Sequence, residues 1–394
     1  MSRLADLIEE LCPDGVEYRP LSELARIRNG RDYKTLSSGN VPVYGSGGVM
    51  TRVSEALGEG PTVLIPRKGS LDNIFFVEGQ FWTVDTIFYT EIAPDLDPKF
   101  FYYKMKTIHL SRMNEAAGVP SMNQRKLGRI QIPVPPLEVQ REIVRILDQF
   151  TTLEAELEAE LEARRAQYEH YCNKLLSVAA LKQRCGEVVL RQLGELGRFY
   201  GGLTGKSKDD FVDSPSVSPF VTYKEVYDRN EINDIPVGRV RVSGGEKQLT
   251  LEYGDVIFTG SSESREDVGM TAVVTSEFRQ QVYLNSFSIC FRWSEQLFDP
   301  GYAKYMFNTP ETRRNIQRCA SGVTRFNLSK KRLEMIFIPV PPLAVQREIM
   351  RILDRFDALV NDISSGLPAE IAARRAQYEH YRDRLLSFPE KKSE

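Results

Sequence analysis

Few stretches of this 394-residue chain combine residue types at the spacing of a catalytic centre. The nearest is "YGGLTGKS" (200–207), which matches the second half of a phosphate-cradling loop, GxxxxGK[ST]. Such a loop needs glycine at its first position to supply the backbone curve, and Tyr200 stands there. The stretch reads instead as a mobile loop carrying Lys206 and Lys208 toward phosphate. "YGSGGVM" (44–50) is glycine-rich but lacks the GxGxxG order between a strand and a helix, so a turn is expected. "PDLDPK" (94–99) offers carboxylates and a lysine, as metal nucleases do, yet Pro98 marks a turn before a helix. His170 and His380 recur in "QYEHY" with no second ligand one turn on, and read as packing or interface residues. "PVPPL" lacks the Asn or Asp with which an amino-methyltransferase holds its target amine. Cys12, Cys172, Cys185, Cys290 and Cys319 form no CxxC pair, which implies neither a zinc site nor a disulfide framework and points to reducing cytoplasm. None of these stretches completes a catalytic, cofactor or metal motif.

The elements that position these residues are laid out twice. "IPVPPLEVQREIVRILDQF" from Ile132 returns as "IPVPPLAVQREIMRILDRF" from Ile338, and "ARRAQYEHYCNKLLS" (163–177) as "ARRAQYEHYRDRLLS" (373–387). Upstream, "VEYRPLSELARI" (16–27) is echoed by "VVLRQLGELGRF" (188–199). A duplicated frame therefore holds two inserts that share little sequence. The double prolines suit helix starts. Apolar steps of 3 and 4 follow through Ile143, Ile146, Phe150, Leu153 and Leu157, then Leu161, Arg165, Tyr168, Cys172 and Leu175, a coiled-coil seam with a stutter. The second copy runs Ile349, Ile352, Phe356, Leu359 and Ile363, breaks at Ser364–Pro368, and can reopen as a helix at Pro368. The inserts alternate Val, Ile, Phe and Tyr runs with Gly, Asp and Asn, hence strands and tight turns, each with one helical segment, 98–117 and 300–320. An N-terminal amphipathic helix leads in. No apolar run approaches the roughly 18 residues of a membrane span. The formal net charge of −2, from 52 basic and 54 acidic side chains, leaves room only for local basic surface, on the inserts.

The paired "PVPPLEVQREI…ILD" and "PVPPLAVQREI…ILD", each after a "GV…N…L" segment (118–127 and 322–333), resemble the specificity subunits of type I restriction-modification systems over nearly the whole chain. "VPVYGSGG", "IPRKGS" and "FWTVDTIFY" resemble one target-recognition type, and "PFVTYKEVY", "GDVIFTGSSE" and "YLNSFS" another; "LEAELEAE" mirrors the family's four-residue helical repeat. The resemblance implies an α+β chain with an internal pseudo-twofold repeat, in which an antiparallel coiled coil of two long helical regions separates two α/β target recognition domains. Its expected divisions are an N-terminal helix (1–15), recognition domain 1 (16–135), a central helical region (136–187), recognition domain 2 (188–341), a C-terminal helical region (342–388) and a tail (389–394). It further implies that each recognition domain reads half of a bipartite, asymmetric site in double-stranded DNA. The coiled coil would fix the gap and bind two methyltransferase subunits, with motor-nuclease subunits joining the complex. This chain itself would do no catalysis: S-adenosylmethionine, ATP and Mg would belong to those partners, and no membrane would be involved.

DNA contact needs loop residues that bond phosphates or base edges. In the first insert these are Arg31, Tyr33, Lys34, Tyr44, Ser46, Arg67, Lys68, Ser70, Arg125 and Lys126. In the second they are Lys206, Lys208, Thr222, Tyr223, Lys224, Ser261, Ser262, Arg265, Arg325 and Lys330. Two other classes remain open to the sequence: a coiled-coil adaptor whose inserts bind proteins, and a self-contained methyltransferase or nuclease.

Overall fold

The structure is a computed structural model that describes residues 3–114, 118–361 and 365–391. It falls into two compact units, Met1–Ala159 with Ala369–Glu394, and Glu160–Pro368. The duplicated frame appears once in each. In the first, the strand Glu17–Pro20 runs antiparallel to Gln131–Val134, with Tyr18 opposite Pro133. In the second, Val189–Gln192 pairs with Phe337–Val340 in the same way, with Leu190 opposite Pro339.

Each frame encloses a β-rich head. The first head has a four-stranded sheet in the order Ala25–Asn29, Ile87–Ile92, Thr62–Pro66, Phe75–Val77. A second sheet has the order Gly48–Val53, Ser38–Gly45, Gln80–Thr83, Gly58–Glu59. Thr62–Pro66 is buried throughout, which explains its unalternating apolar sequence. The second head repeats the plan with Gly197–Gly201, Ser288–Trp293, Val256–Thr259 and Thr271–Val274, then adds Glu231–Ile232. Ser218–Val221 and Tyr283–Leu284 lie parallel there, as Ser38–Gly45 and Gln80–Thr83 do in the first head.

One helix in each head docks the frame. Asp97 caps Pro98–Thr107 by accepting from the N–H groups of Lys99 and Phe100, as the turn at "PDLDPK" predicts. That helix ends at Thr107 and a 3-10 turn follows at Leu110–Met113, so 98–117 is not one helix; residues 115–117 lie outside the described residues. The segment 300–320 is likewise two helices, Pro300–Phe307 and Pro310–Arg318. Thr309 restarts it: its hydroxyl accepts from the N–H of Thr312, and Pro310 takes the first position, where no donor is needed.

The central helical region holds a 39-residue helix, Leu137–Leu175, and then a short one, Val178–Cys185, capped by Ser177, whose hydroxyl accepts from Ala180 N. The first turns of the long helix belong to the head rather than to a seam: Val139, Ile143 and Leu147 are buried with Phe100, Phe101 and Met105. Farther along it runs antiparallel to the C-terminal helix Leu367–Leu385. There Phe150 meets Tyr378 and Tyr381 at ring separations of 6.4 and 5.6 Å, and Arg375 pairs with Glu154 (2.5 Å) and Glu158. The expected seam residues Leu153, 46% exposed, and Arg165 both face solvent. In the second unit the helix's far half meets Leu343–Asn361, with Tyr171 stacked on Phe356 at 5.2 Å. The second helical region is broken between Asn361 and Leu367, with Pro368 in the first turn of the new piece; Ile363 and Ser364 lie outside the described residues.

The helix Arg3–Leu11 forms as its amphipathic pattern predicts. In the first unit Val16 meets the segment after the last helix: its N–H donates to Pro389 O, and that of Lys391 to Val16 O, each at 2.9 Å.

Candidate nucleic-acid interface

Both heads present an edge built from the same four backbone hydrogen bonds. In the first, Arg31 N donates to Thr83 O, Val84 N to Tyr44 O, Arg67 N to Thr86 O and Met122 N to Arg67 O. In the second, Leu203 N donates to Leu284 O, Asn285 N to Val221 O, Gly260 N to Phe287 O and Leu328 N to Gly260 O. Two sequences with little in common thus build one scaffold, and only the side chains on it differ. Such a scaffold can change what it reads without changing how it folds.

In the first head the segment Thr83–Thr86 gathers Arg31, Tyr44, Ser46, Arg67 and Lys68. The glycine-rich stretch makes the turn between Ser38–Gly45 and Gly48–Val53, as expected, and Gly48 takes a φ of +116°. Ser46 N meets Thr86 Oγ1 at 3.4 Å, and Asn73 Nδ2 donates to Ser46 O at 3.1 Å. Ser70 is exposed beside them. Lys68 is exposed and lies 3.9 Å from Asp85, whereas Arg67 is half-buried over the Phe88 ring. Tyr44 packs its ring 5.9 Å from Phe75. Tyr33 is half-buried against the cluster of Val43 and Trp82, and Lys34 pairs with Asp32. The short helix Gln124–Gly128 carries Arg125, which is exposed, and Lys126, whose ammonium donates to Met113 O.

In the second head an open groove of about 830 Å³ collects Tyr223, Lys224, Ser261, Ser262 and Arg325. Tyr223 donates to Ser261 O at 2.9 Å and stacks on Tyr227. Tyr227 donates to Asp267, whose carboxylate holds the phenol above its ordinary pKa and so keeps it neutral. Asp228, Glu263 and Asp267 also line the groove, and Lys224 pairs with Asp228. Those carboxylates repel phosphate, so the groove suits base edges better than backbone. Thr222 is spent on a capping box with Glu225.

Arg265 lies elsewhere, in a hollow of about 230 Å³ with Arg314, Arg318 and Glu266, where three guanidiniums against one carboxylate offer a phosphate footing. Lys208 is exposed and Lys330 half-buried. Lys206 is turned inward: its side chain is only 7% exposed and meets Glu246 at 2.6 Å. Glu246 also accepts from Ser243 N and Gln248, and these partners hold its carboxyl down at about 2. The "GLTGKS" stretch follows a strand but leads into the three-residue turn Lys208–Asp210, not a helix, so it has no P-loop geometry.

Sequence reasoning does not single out Asn73, Asp85, Tyr227, Asp267, Phe287, Arg314 or Arg318, all of which line these surfaces. Only "YLNSFS" carries a usable signal, since a phenylalanine between Asn-Ser and Ser sits in a turn rather than a core run.

Taken together, fold and site define a chain in which a helical frame is repeated twice, each copy holding a β-rich head with the same backbone-bonded edge and unlike side chains. The family model for the type I restriction modification DNA specificity domain matches residues 13–163 and 186–373. The specificity subunit of the Escherichia coli type I restriction enzymes EcoR124I and EcoR124II is 34% identical over 313 residues, covering 74% of this chain and 71% of that protein. A Haemophilus influenzae protein, provisionally named a type I restriction enzyme specificity subunit, is 29% identical across 95% of this chain and 96% of its own length. Among solved structures, a chain from a study of assembly and conformational transition in a type I system superposes with a TM-score of 0.63 at 18% identity, covering 95% and 98% of the two chains. The S subunit from M. genitalium gives 0.54 at 14% identity, covering 94% and 96%. The chain belongs to the type I restriction-modification specificity-subunit family.

Proposed function

We propose that each head reads one half of a bipartite, asymmetric sequence in double-stranded DNA, and that the paired helices set the gap and bind two methyltransferase subunits. Motor-nuclease subunits join that complex in the cytoplasm. Catalysis, with S-adenosylmethionine, ATP and Mg, belongs to those partners, while this chain supplies the address. The observation that carries the reading is the shared edge: identical backbone bonding under unlike side chains is what two recognition modules of different specificity require.

Within the first head, Arg31, Tyr33, Lys34, Tyr44, Ser46, Lys68, Ser70 and Arg125 supply contacts, with Arg67 and Lys126 bracing the loops. Within the second, Tyr223, Ser261, Ser262 and Arg325 face bases, and Arg265, Lys208 and Lys330 face phosphates. Methylome sequencing of cells expressing this chain with its methyltransferase subunit tests the reading. One bipartite motif is expected, and replacing residues 188–341 with another recognition domain should change one half of it only. No motif, or a change in both halves, overturns the proposal. Protein binding by the heads without sequence enrichment of DNA would favour the adaptor alternative.

A further inference from the structure

Phe287 is 61% exposed, yet its backbone is held firmly. Asn285 is buried and accepts from Phe287 N at 3.0 Å, while its amide donates to Val221 O at 3.0 Å and to Ser288 Oγ at 2.9 Å. Phe287 O in turn accepts from Gly260 N at 2.8 Å. A buried polar turn thus locks this backbone in place and holds a phenyl ring out in water at a fixed position. In the first head the equivalent position, fixed by the bond from Arg67 N, is the polar Thr86. The ring is therefore a property of this head's side chains, not of the scaffold.

Phe287 lines the groove together with Ser261, Ser262, Tyr227 and Asp267. Such polar neighbours can bond base edges, and in the groove Asp228, Glu263 and Asp267 outnumber Lys224 and Arg325, which disfavours phosphate. A ring among them meets an edge too. On the major-groove edge of the bases the only apolar group is the C5-methyl of thymine.

We propose that Phe287 is a specificity residue that reads a thymine methyl within the half-site of the second head. The inference rests on the proposed reading of that groove as a DNA-contacting surface. It names one letter class: the half-site contains a T·A pair whose methyl packs on the ring. Burying one methyl group is worth about four-fold in affinity.

The test uses the chain assembled with its methyltransferase subunits and a duplex carrying the motif found by methylome sequencing. Each thymine of the second half-site is replaced in turn by deoxyuridine, which removes the methyl alone. One position should weaken binding by roughly four-fold. The Phe287→Ala complex should still bind but lose the difference between thymine and uracil at that position, and Phe287→Leu should keep it. A half-site without thymine, or equal binding of every uracil duplex by the unaltered complex, overturns the role of Phe287 while leaving sequence-specific binding intact. If instead exchange of the second head leaves the motif unchanged, the groove does not read DNA and the underlying proposal fails. Fluorescence of 2-aminopurine rising beside one step on binding, and absent with Phe287→Ala, would mean that the ring inserts between bases, which also overturns methyl reading.

Discussion

Lys68 and Lys206 are both lysines on loops of a head, and their surroundings separate them. Lys68 is exposed, with Asp85 at 3.9 Å, so a phosphate can recruit it cheaply. Replacing Arg67 and Lys68 by Ala should weaken DNA binding and flatten the plot of log affinity against log salt by about 0.9 for each phosphate no longer neutralised. Unchanged affinity and slope in a salt titration would remove this loop from the interface. Lys206 is withheld by Glu246, whose carboxyl sits at about 2. A depressed carboxyl contributes stability fully above its ordinary value of 4.5 and loses it as pH falls through about 2, so the clamp is fully formed near neutral pH. Glu246→Gln should therefore free the ammonium, and the prediction is tighter nonspecific DNA binding with a steeper salt slope. If neither changes, Lys206 lies off the DNA path altogether.

The frame works through elements rather than loops, and a duplicated glutamine makes the joint. Gln140 accepts from Asp97 N at 2.7 Å and donates to Asp95 O and Pro135 O. Gln346 accepts from Asp299 N at 2.9 Å and donates to Leu297 O and Pro341 O. Both are fully buried, so each ties the double-proline turn and the capped head helix to one point on the frame. Tyr103 on Asp148 and Tyr305 on Asp354, each 2.6 Å, repeat the attachment two turns on. Gln140→Ala or Gln346→Ala leaves buried backbone groups without partners and should cost about 2–4 kcal/mol in urea unfolding. The two losses should add, since the clasps share no residue. A loss below about 0.5 kcal/mol for either would show that water replaces the amide there. This frame is legible in the sequence because helix periodicity and proline placement are local. Periodicity alone assigns the first turns to a seam, because Ile143 has the same spacing whether a helix or a head covers it. The common scaffold of the heads is invisible for a stronger reason: backbone bonds such as Arg67 N to Thr86 O and Gly260 N to Phe287 O leave no residue signature. The sequence points to lysines on loops more directly than to Phe287, whose exposure depends on a turn made by its neighbours and is signalled only by "YLNSFS".

At the scale of the whole chain, the proposed gap-setting role turns on the run "LEAELEAELEA" at 153–163 within the long helix. That helix is about 58 Å long at 1.5 Å per residue. Contacts that anchor it to the first head lie before the run, at Val139, Ile143 and Leu147. Within the run, Glu154 and Glu158 face Arg375. Deleting Leu153–Glu156 brings the identical unit beginning at Leu157 into its place, so Glu158 and Glu162 fall where Glu154 and Glu158 stood and the pairing with Arg375 survives. Everything beyond then moves back by about 6 Å and turns by about 40°. Along B-DNA that is one to two base pairs of length and close to one base-pair step of rotation. Neither reading edge contains a residue of the run, so the letters of both half-sites should stay the same while the preferred spacer shortens by one or two base pairs. Methylome sequencing of the deletion variant reads both at once. Altered letters, or an unaltered spacer in a variant that still methylates, would show that the helix does not measure the gap.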